Sequence, residues 1–365
     1  MIHFKIFQDL NDDLLRDLVK IKNNSLLYIF QLPKWQRTIL DNFDKSSSIR
    51  IVVIYDGNEI ILVAPLCIYN IYGCKELGWI SSNIIDYNNP IICKSFDFNI
   101  LNFQNLWKKI IDDLSRQCDL IYFYKIPEFI EYKKNPLINL HYKYYQKSYQ
   151  INLNNYDYDF FYNQNNNNKS KQTDRRKKKK LYEKNDLEYL YLDVNLENFY
   201  LVEELINEKV FLYRKKNVKT FNNKFSINQY RRLVIEMNKD YKFNLTIIKK
   251  DGKKISSIFG VIFNEIYYYL LPLTHETKFK KYSPGKFHII NLIKWAKNNK
   301  IKTIDFTAGD EIYKKNFSNY NFNMFYYTKL INLKGIPRFV FLNLYYKFRN
   351  SFFLKKIYKL IKYAI

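Results

Sequence analysis

The residues best suited to ligand binding begin at a short Pro-Gly step. Pro284 and Gly285 end a loop directly before a predicted helix, Phe287–Asn298. Pro fits the first turn of a helix, and Gly lets backbone N–H groups approach a ligand closely. Because the free N–H groups and the dipole at a helix start attract anions, this step predicts an anion-binding site. Three lysines add positive charge around it: Lys280, Lys281 and Lys286.

Two carboxylates follow this helix. The next predicted strand, Thr303–Phe306, carries Asp305 near its carboxyl end, and Glu311 lies shortly after the strand. Acyl transfer to an amine needs a deprotonated nucleophile, so a carboxylate within reach is a candidate base. Structural roles fit as well: Asp305 can hold hydrogen bonds at the end of a buried strand, and Glu311 can be an acid of a first helical turn.

Other chemistries have little support in the sequence. The four His residues are isolated, and no Ser or Cys lies in a nucleophile elbow, so a His-based triad is not predicted. The four Cys residues lack the paired spacing of a zinc site, and we predict no metal. Asp86 and Tyr87 are a weak candidate for substrate binding, since an ordinary turn with Asn88-Asn89-Pro90 explains them better.

The charge of the chain is unevenly distributed. The 365 residues carry a net charge of +25, and 47% are hydrophobic, which argues against wholesale disorder. Residues 1–150 hold 18 basic and 16 acidic residues, a net +2, whereas residues 151–365 hold 42 and 19, a net +23. A lysine-rich AT-biased genome would act uniformly along the chain. The asymmetry therefore favours an anionic partner of the second half: a nucleotide, a phosphate, an acidic lipid or RNA.

One order of elements is predicted twice: two helices, a three-strand meander, a third helix and a further strand. In the first half the bounds are Asp12–Lys22, Lys34–Phe43, Arg50–Tyr55, Glu59–Tyr69, Glu76–Ile80, Phe103–Gln117 and Leu120–Ile126. In the second half they are Leu196–Tyr213, Ile227–Asn238, Phe243–Lys249, Lys254–Phe263, Ile266–Leu273, Phe287–Asn298 and Thr303–Phe306. Each final strand–helix–strand step requires a parallel crossover in a mostly antiparallel sheet, so we predict an α+β fold with two copies of one domain.

A polar and basic segment separates the two copies. The predicted boundaries are a first domain at 1–153, a linker and helix start at 154–180, a second domain at 181–335 and a basic tail at 336–365. The linker contains an Asn-rich run without hydrophobic periodicity. The basic run after it, Lys169–Lys184, fits either a solvated helix face or a disordered arm.

The second half resembles a known family, the CelD-like branch of the GNAT acyltransferases. The matching motifs are, in order, Tyr282-Ser283-Pro284-Gly285, a helix, Asp305-Phe306, Gly309-Asp310-Glu311, Tyr313-Lys314 and Phe317. The basic run Arg175–Leu181 with Asp186-Leu187 is similar to the start of the second half in these proteins and in the Fem aminoacyl-tRNA transferases. Weaker matches in the first half are Ala64-Pro65-Leu66, Leu77-Gly78 and Asp86-Tyr87.

The resemblance implies tandem GNAT-like domains, each with a mixed, mostly antiparallel sheet and flanking helices. It implies that the donor, acyl-CoA and in the first place acetyl-CoA, contacts Ser283, Pro284, Gly285 and Lys286. The catalytic residues it implies are Glu311, Lys314 and Asp305, with Lys314 neutralising a phosphate or a developing oxyanion. Tyr313, Asp86 and Tyr87 are the corresponding candidates for substrate binding, although packing also explains Tyr313.

The expected function is therefore acyl transfer, with N-acylation favoured over O-acylation. The acyl group moves from acyl-CoA to an amine or hydroxyl of a sugar or of a cell-envelope or polysaccharide precursor, by direct attack and without a covalent enzyme intermediate. Because only Gly285 remains of the glycines usual in a GNAT phosphate loop, a Fem-like transferase that uses aminoacyl-tRNA is the alternative. A third possibility is a non-catalytic basic adaptor that binds an anionic partner.

The tail, residues 336–365, carries seven Lys or Arg residues and no acid. Its apolar and basic residues alternate at helical spacing, which predicts a basic amphipathic helix. Such a helix either packs on the second domain or lies on an anionic membrane surface. No stretch reaches the ~18–20 apolar residues of a membrane span, so we expect a cytoplasmic protein that associates peripherally with the inner face of the membrane.

Overall fold

The computed structural model describes residues 1–41, 47–82, 84–95, 100–139, 142–154, 156–158, 162, 168–183, 186–215, 223–237 and 241–348. These residues form two compact units. The first unit consists of Met1–Gln146 and the chain from Asn323 onward, and the second of Lys147–Phe322. The predicted Asn-rich run, apart from Asn168, and the tail beyond residue 348 lie outside the described residues.

The first unit is built on a mixed sheet. Its helices are α1 (Asp12–Ile21), α2 (Pro33–Leu40), α3 (Ile100–Ser115) and α9 (Ile336–Phe348). Its strands are β1 (Ile2–Phe7), β2 (Ser25–Leu26), β3 (Ser48–Asp56), β4 (Glu59–Ile71), β5 (Cys74–Trp79), β6 (Ile91–Cys93), β7 (Leu120–Pro127), β8 (Phe129–Ile130), β9 (Lys133–Lys134) and β16 (Tyr320–Leu330). The order is β1-β3-β4-β5-β7-β16, and among the described residues of this unit only β5 and β7 pair in parallel.

The core of the first unit lies between α3 and this sheet. The helix turns one apolar stripe inward because its apolar residues recur at steps of three and four. The stripe consists of Phe103, Trp107, Ile110, Ile111 and Leu114, all buried. It packs on buried strand residues that include Leu66, Leu77 and Ile121.

The second unit repeats the plan. Its helices are α4 (Asn168–Tyr182), α5 (Tyr200–Lys215), α6 (Asn223–Met237), α7 (Pro284–Asn298) and α8 (Ile312–Phe317). Its strands are β10 (Lys143–Asn152), β11 (Leu187–Asp193), β12 (Lys242–Lys250), β13 (Lys253–Phe263), β14 (Ile266–Thr274) and β15 (Thr303–Ala308). The order is β10-β15-β14-β13-β12-β11, and in the part of this unit that the structure describes only β14 and β15 pair in parallel.

The predicted α+β fold is confirmed, and every helix and strand of the repeated pattern is present. The sequence analysis missed other strands, among them β1, β10, β11 and β16. Two of these, β10 and β16, are rich in Lys, Gln or Asn, which weakens the alternation of apolar and polar residues that marks a strand. β10 follows the last strand predicted for the first half but pairs with β15 of the second unit. β16 follows the last strand predicted for the second half but pairs with β7 of the first unit.

Because β10 and β16 are exchanged between the halves in this way, the boundaries of the compact units differ from those of the predicted domains 1–153 and 181–335. The second unit already begins at Lys147, and the chain returns to the first unit at Asn323. The basic run forms a helix, α4, inside the second unit. The described part of the tail forms α9 and packs on the first unit, through Leu342 against Cys74, Leu120 and Tyr122.

Candidate active site

A cavity of about 470 Å³ opens in the second unit where β14 and β15 diverge. The two strands pair only over Ile266–Tyr268 and Thr303–Asp305, while β14 continues to Thr274. A register shift in β14 opposite Phe259 and Gly260 accompanies the divergence. The cavity is lined by Tyr158, Tyr162, Ser256, Tyr269, Pro272, Leu273, Thr274, Lys280, Ser283, Gly285, Lys286, Ile289, Tyr313, Asn316 and Phe317.

The start of α7 forms one wall of this cavity. Ser283 precedes the helix in the left-handed conformation, with φ of 57°, and Pro284 is the first helical residue. A β-carbon on Gly285 would lie 2.8 Å from the Thr274 hydroxyl, so a larger residue would displace β14 or fill the cavity. The first N–H groups of a helix have no partner inside the helix and favour an anion. The predicted anion site therefore lies at the cavity wall.

The basic helix α4 packs against the same wall. Lys177 donates to the Ser283 hydroxyl at 3.0 Å, and Lys286 forms an ion pair with Asp174. The hydroxyl of Tyr162 lies 2.6 Å from the Asp174 carboxylate, and burial and this hydrogen bond raise the pKa of the Tyr162 phenol. Asp174 thus holds Lys286 and Tyr162 together at the edge of the cavity.

Asp305 lies in the second unit as a hydrogen-bonding residue. Its side chain is fully buried at 0% exposure. The carboxylate accepts from the Gln150 amide at 2.9 Å and from the Thr307 backbone N–H at 2.7 Å. These bonds connect β15 to β10 and to the carboxyl end of β15 itself. Of the two roles considered for Asp305, hydrogen bonding and catalysis, this geometry fits hydrogen bonding.

Glu311 and Lys314 form an ion pair at the start of α8. The Lys314 ammonium lies 3.1 Å from the Glu311 carboxylate and donates to the Ala308 carbonyl at 2.9 Å. The Lys314 side chain is 5% exposed, whereas that of Glu311 is 56% exposed. Gly309, with φ of 142°, precedes them, and a β-carbon there would overlap the Glu311 carboxylate. The glycine therefore makes room for the ion pair.

The Glu311 charge acts on the cavity wall. Burial chiefly, and then the nearby Tyr267 and Glu311, raise the pKa of the Tyr269 phenol. Burial, followed by Glu311, also raises the pKa of Tyr213 on α5. Tyr269 and Tyr313 both line the cavity, and the solvent-exposed Glu311 lies near enough to affect the Tyr269 phenol. Its role as a general base stays a prediction.

Two buried histidines lie near the cavity in hydrogen-bond networks. His288 on α7 bridges the hydroxyls of Thr246 and Ser256, each at 2.8 Å, and Ser256 lines the cavity. Complete burial lowers the pKa of His288 to about 3, so its imidazole is neutral at ordinary pH. His275 lies between Ser257 and Glu208, at 2.8 and 2.7 Å. Burial of this second ring lowers its pKa against the opposing effect of Glu208.

The structure brings together most of the predicted site residues. Ser283, Gly285, Lys286 and Tyr313 line the cavity, and Glu311 acts on it. The sequence analysis missed Asp174, Tyr162 and Lys177. Asp174 carried a signal that could have found it, because it is the one acid in the otherwise basic sequence of α4.

Asp86 and Tyr87 lie in the first unit. The Tyr87 side chain is buried against Tyr28 and Phe30, and its carbonyl accepts from the Gln31 amide at 2.6 Å. Asp86 pairs with Lys125 at 3.4 Å. The structure shows packing and pairing for both residues, and their role in substrate binding stays a prediction. Within the ranges that the structure describes, no group of three or more His, Cys, Asp or Glu side chains is placed to hold a metal ion.

Comparison with known proteins gives a family match for the second unit. Residues 168–315 match the family described as acetyltransferase (GNAT) domain, from the first residue of α4 into α8. No curated protein matches the sequence at a significant level. The matched range contains the start of α7, the Glu311–Lys314 pair and most of the cavity wall.

Several solved structures share the fold of the whole chain. FemX has a TM-score of 0.54 at 12% identity, covering 88% of this chain and 97% of its own. L-PGS from Bacillus licheniformis has a TM-score of 0.52 at 10% identity, covering 93% and 98%. A tandem GNAT protein from the clavulanic acid biosynthesis pathway has a TM-score of 0.50 at 8% identity, covering 91% and 99%. The predicted tandem GNAT-like architecture is confirmed, and the match of residues 168–315 to an acetyltransferase (GNAT) domain supports an acyltransferase.

Proposed function

From the premise that residues 168–315 form a GNAT acetyltransferase domain, we propose that the cavity binds acyl-CoA, with acetyl-CoA as the first candidate. The observation that carries the proposal is the cavity itself. It opens between two diverging parallel strands and ends at a helix start with Lys280, Ser283, Gly285 and Lys286 around it. Acyl-CoA, which has a thioester at one end and phosphates at the other, fits such a site.

The phosphates of the donor would meet the N-terminus of α7. Gly285 has no side chain to crowd the helix start, since a β-carbon there would already lie 2.8 Å from the Thr274 hydroxyl, and Ser283 and Lys286 supply a hydroxyl and a charge. Asp174 forms an ion pair with Lys286. We infer that a bound phosphate competes with Asp174 for this ammonium, because both are anions at hydrogen-bond distance from the same group.

The reaction would be direct transfer. The nitrogen or oxygen of the acceptor attacks the thioester carbonyl carbon, the carbon–sulfur bond breaks, and the CoA thiolate leaves and takes up a proton. Glu311 accepts the proton that the nucleophile loses. Lys314 holds the Glu311 carboxylate and adds positive charge near the developing oxyanion, and Asp305 supports the end of β15 through its hydrogen bonds.

For the acceptor, we propose an amine or hydroxyl of a sugar or of a cell-envelope or polysaccharide precursor. The support is the motif resemblance to the CelD-like branch. Tyr313 lies where it could contact such an acceptor, since it lines the cavity beside Glu311. Asp86 and Tyr87 on the first unit are the competing place for the acceptor, and an effect of Asp86→Ala on the acceptor KM would favour them over Tyr313.

The first test is thermal stabilisation followed by transfer. Acetyl-CoA and CoA should raise the melting temperature of the protein at moderate salt, whereas ATP, with a similar charge but no pantetheine, should do so less. Release of free thiol from acetyl-CoA, measured across a panel of amino sugars, should then identify an acceptor. Glu311→Gln should keep the stabilisation and lose thiol release. Absence of any stabilisation by acyl-CoA would remove the donor from the proposal.

The second candidate is a Fem-like transfer from aminoacyl-tRNA. It is favoured by the exposed cations of the basic helix α4, which packs at the cavity wall. These cations are Arg175, Arg176, Lys178 and Lys179. Phosphate contacts make RNA binding fall steeply with salt. Filter binding of charged and uncharged tRNA at two salt concentrations tests this candidate: absence of salt-sensitive binding removes it, whereas a preference for charged tRNA favours it over non-specific attraction to the basic second half. If neither donor binds, and variants of Glu311 and Lys314 have no phenotype in cells, the adaptor function would replace both.

A further inference from the structure

The helix α9 is anchored to the first unit by one of its faces. Arg338 forms an ion pair with the buried Glu76 at 2.8 Å, and the nearby Arg338 opposes the rise in the Glu76 pKa that burial causes. Tyr346 stacks on Tyr326 with 3.6 Å between ring centroids. Leu342, 3% exposed, enters the core between them along the helix. The orientation of α9 is therefore fixed by contacts on several turns.

The opposite face of α9 is apolar and exposed. Ile336, Val340 and Leu344 recur at steps of four and form one line along the helix, which we call the apolar stripe. Their exposures are 39%, 47% and 50%. The preceding Leu333 is 80% exposed and extends the stripe beyond the start of the helix. An amphipathic helix usually turns its apolar side to a core, but here two sides of one helix are apolar and only one is covered.

We propose that the apolar stripe docks on an anionic lipid bilayer. The charge of this part of the chain selects the partner: besides Arg338, which pairs with Glu76, residues 336–365 contain six Lys or Arg residues and no acid. The last acid of the whole chain is Glu311. Lysines beside an apolar stripe bind lipid phosphates while the apolar side chains enter the boundary between headgroups and acyl chains.

The same charges argue against a second copy of the chain as the partner. A symmetric contact through α9 would place one acid-free basic tail against another, and the like charges would repel. The association is also peripheral. None of the described helices is long and apolar enough to cross a membrane. The inference does not depend on the proposed donor, since no residue of the stripe lies in the second unit.

Vesicle co-sedimentation of the full-length protein tests the proposal. The probes are vesicles of phosphatidylcholine alone and of phosphatidylcholine with phosphatidylglycerol. We expect binding to the anionic vesicles, weakened by salt, and roughly tenfold weaker partition for the double variant Val340→Glu/Leu344→Glu. The matched control is Val19→Glu, which changes an exposed apolar residue of α1, 37% exposed, in the same unit and should leave partition unchanged.

A second variant separates charge from apolar contact. Replacing Lys355, Lys356, Lys359 and Lys362 with Gln should abolish the preference for anionic vesicles, because each lysine near the surface contributes roughly 1 kcal/mol, or about fivefold. Equal partition of the wild type and the Val340→Glu/Leu344→Glu variant would overturn the docking role of the stripe. So would a wild-type dimer in light scattering that becomes monomeric in this variant, since the stripe would then be an interface between copies.

Discussion

The two units treat the same crossover differently. In the second unit, β14 and β15 diverge around a cavity of about 470 Å³, and nine residues, 275–283, lead from β14 to α7. In the first unit, β5 and β7 pair in parallel only over Glu76–Leu77 and Leu120–Ile121. Twenty residues, 80–99, lead from β5 to α3, and part of this longer connection returns to the diverging strands.

That return is visible in the hydrogen bonds of Asn88. Its backbone N–H donates to the Lys125 carbonyl at 2.8 Å, and its side-chain amide donates to the Tyr124 carbonyl at 3.0 Å. Both acceptors lie on β7 beyond the end of its pairing with β5. In the first unit, the connection thus donates hydrogen bonds to the backbone carbonyls of β7 where it leaves β5. In the second unit, the corresponding strands diverge around a cavity. A duplicated fold can keep one copy as a ligand site and close the other by lengthening a single loop.

The largest expected effect concerns the core below the cavity, where α7 differs from α3. The buried stripe of α3 is apolar, whereas α7 buries the neutral His288 between two hydroxyls. The folded pKa of His288 is about 3, below its ordinary value of 6.5, so the unfolded chain takes up a proton first as the pH falls. Its neutral form therefore stabilises the fold fully above pH 6.5, and this contribution is lost between pH 6.5 and 3, by on the order of 5 kcal/mol at most.

The variant His288→Gln should remove this pH dependence. It keeps a polar side chain for Thr246 and Ser256 but has no proton to take up in this range. Denaturant unfolding at pH 7 and pH 4 measures the effect: the free energy of unfolding should fall with acid in the wild type, and much less in the variant. The solvent-exposed His3→Gln is the matched control, and an equal acid loss in wild type and His288→Gln would place the acid sensitivity elsewhere.

A smaller effect is expected at Lys314, which follows the second crossover. Lys314→Met keeps the length and the buried apolar stem but removes the ammonium that holds Glu311. We expect kcat/KM for thiol release to fall by roughly 10²–10³, or about 2.7–4 kcal/mol, with donor binding retained. Lys315→Met changes the exposed neighbouring lysine and is the control. Unchanged activity of Lys314→Met would mean that Glu311 needs no such partner.

The open cavity itself is tested at Gly285. At Gly285 even a β-carbon would lie 2.8 Å from the Thr274 hydroxyl, so the indole of Gly285→Trp should fill the donor site. We expect calorimetric affinity for acetyl-CoA to fall by roughly 100-fold, or about 2.7 kcal/mol, without loss of the folded state. Asn58→Trp, in an exposed turn of the first unit, is the matched control. If Gly285→Trp binds as the wild type does, the donor lies elsewhere.

Sequence analysis predicted both crossovers, but it found site residues at the second and not the long-range contacts that surround them or that fill the first. Pro284, Gly285 and Glu311 act through local chemistry: a helix start, a missing side chain and a solvent-exposed carboxylate. Such properties are readable from residue type and spacing. Asp174 and Asn88 act through partners 112 and 37 residues away in sequence, Lys286 and Lys125, and spacing gives no signal for such pairs. The same reason explains the missed exchange of β10 and β16, because strand pairing is decided by tertiary contacts.

The smallest effect is expected at Asp86, which tests the contrast between the two crossovers most directly. The sequence made Asp86 and Tyr87 candidates for substrate binding, whereas the structure places both in the connection that returns to the first crossover. Asp86→Ala removes one half-buried partner of Lys125 at 3.4 Å, which should cost about 0.5 kcal/mol of stability.

If the first unit is closed to ligands, kcat/KM with the identified acceptor should stay within about twofold of wild type, a difference below 0.5 kcal/mol. Asp41→Ala, which removes a comparable ion pair with Arg37 in the same unit, controls for the small loss of stability. A tenfold rise in acceptor KM for Asp86→Ala alone, with donor affinity unchanged, would contradict the contrast between the units. The first crossover would then hold the acceptor while the second holds the donor, and the long connection would be a binding loop instead of a plug.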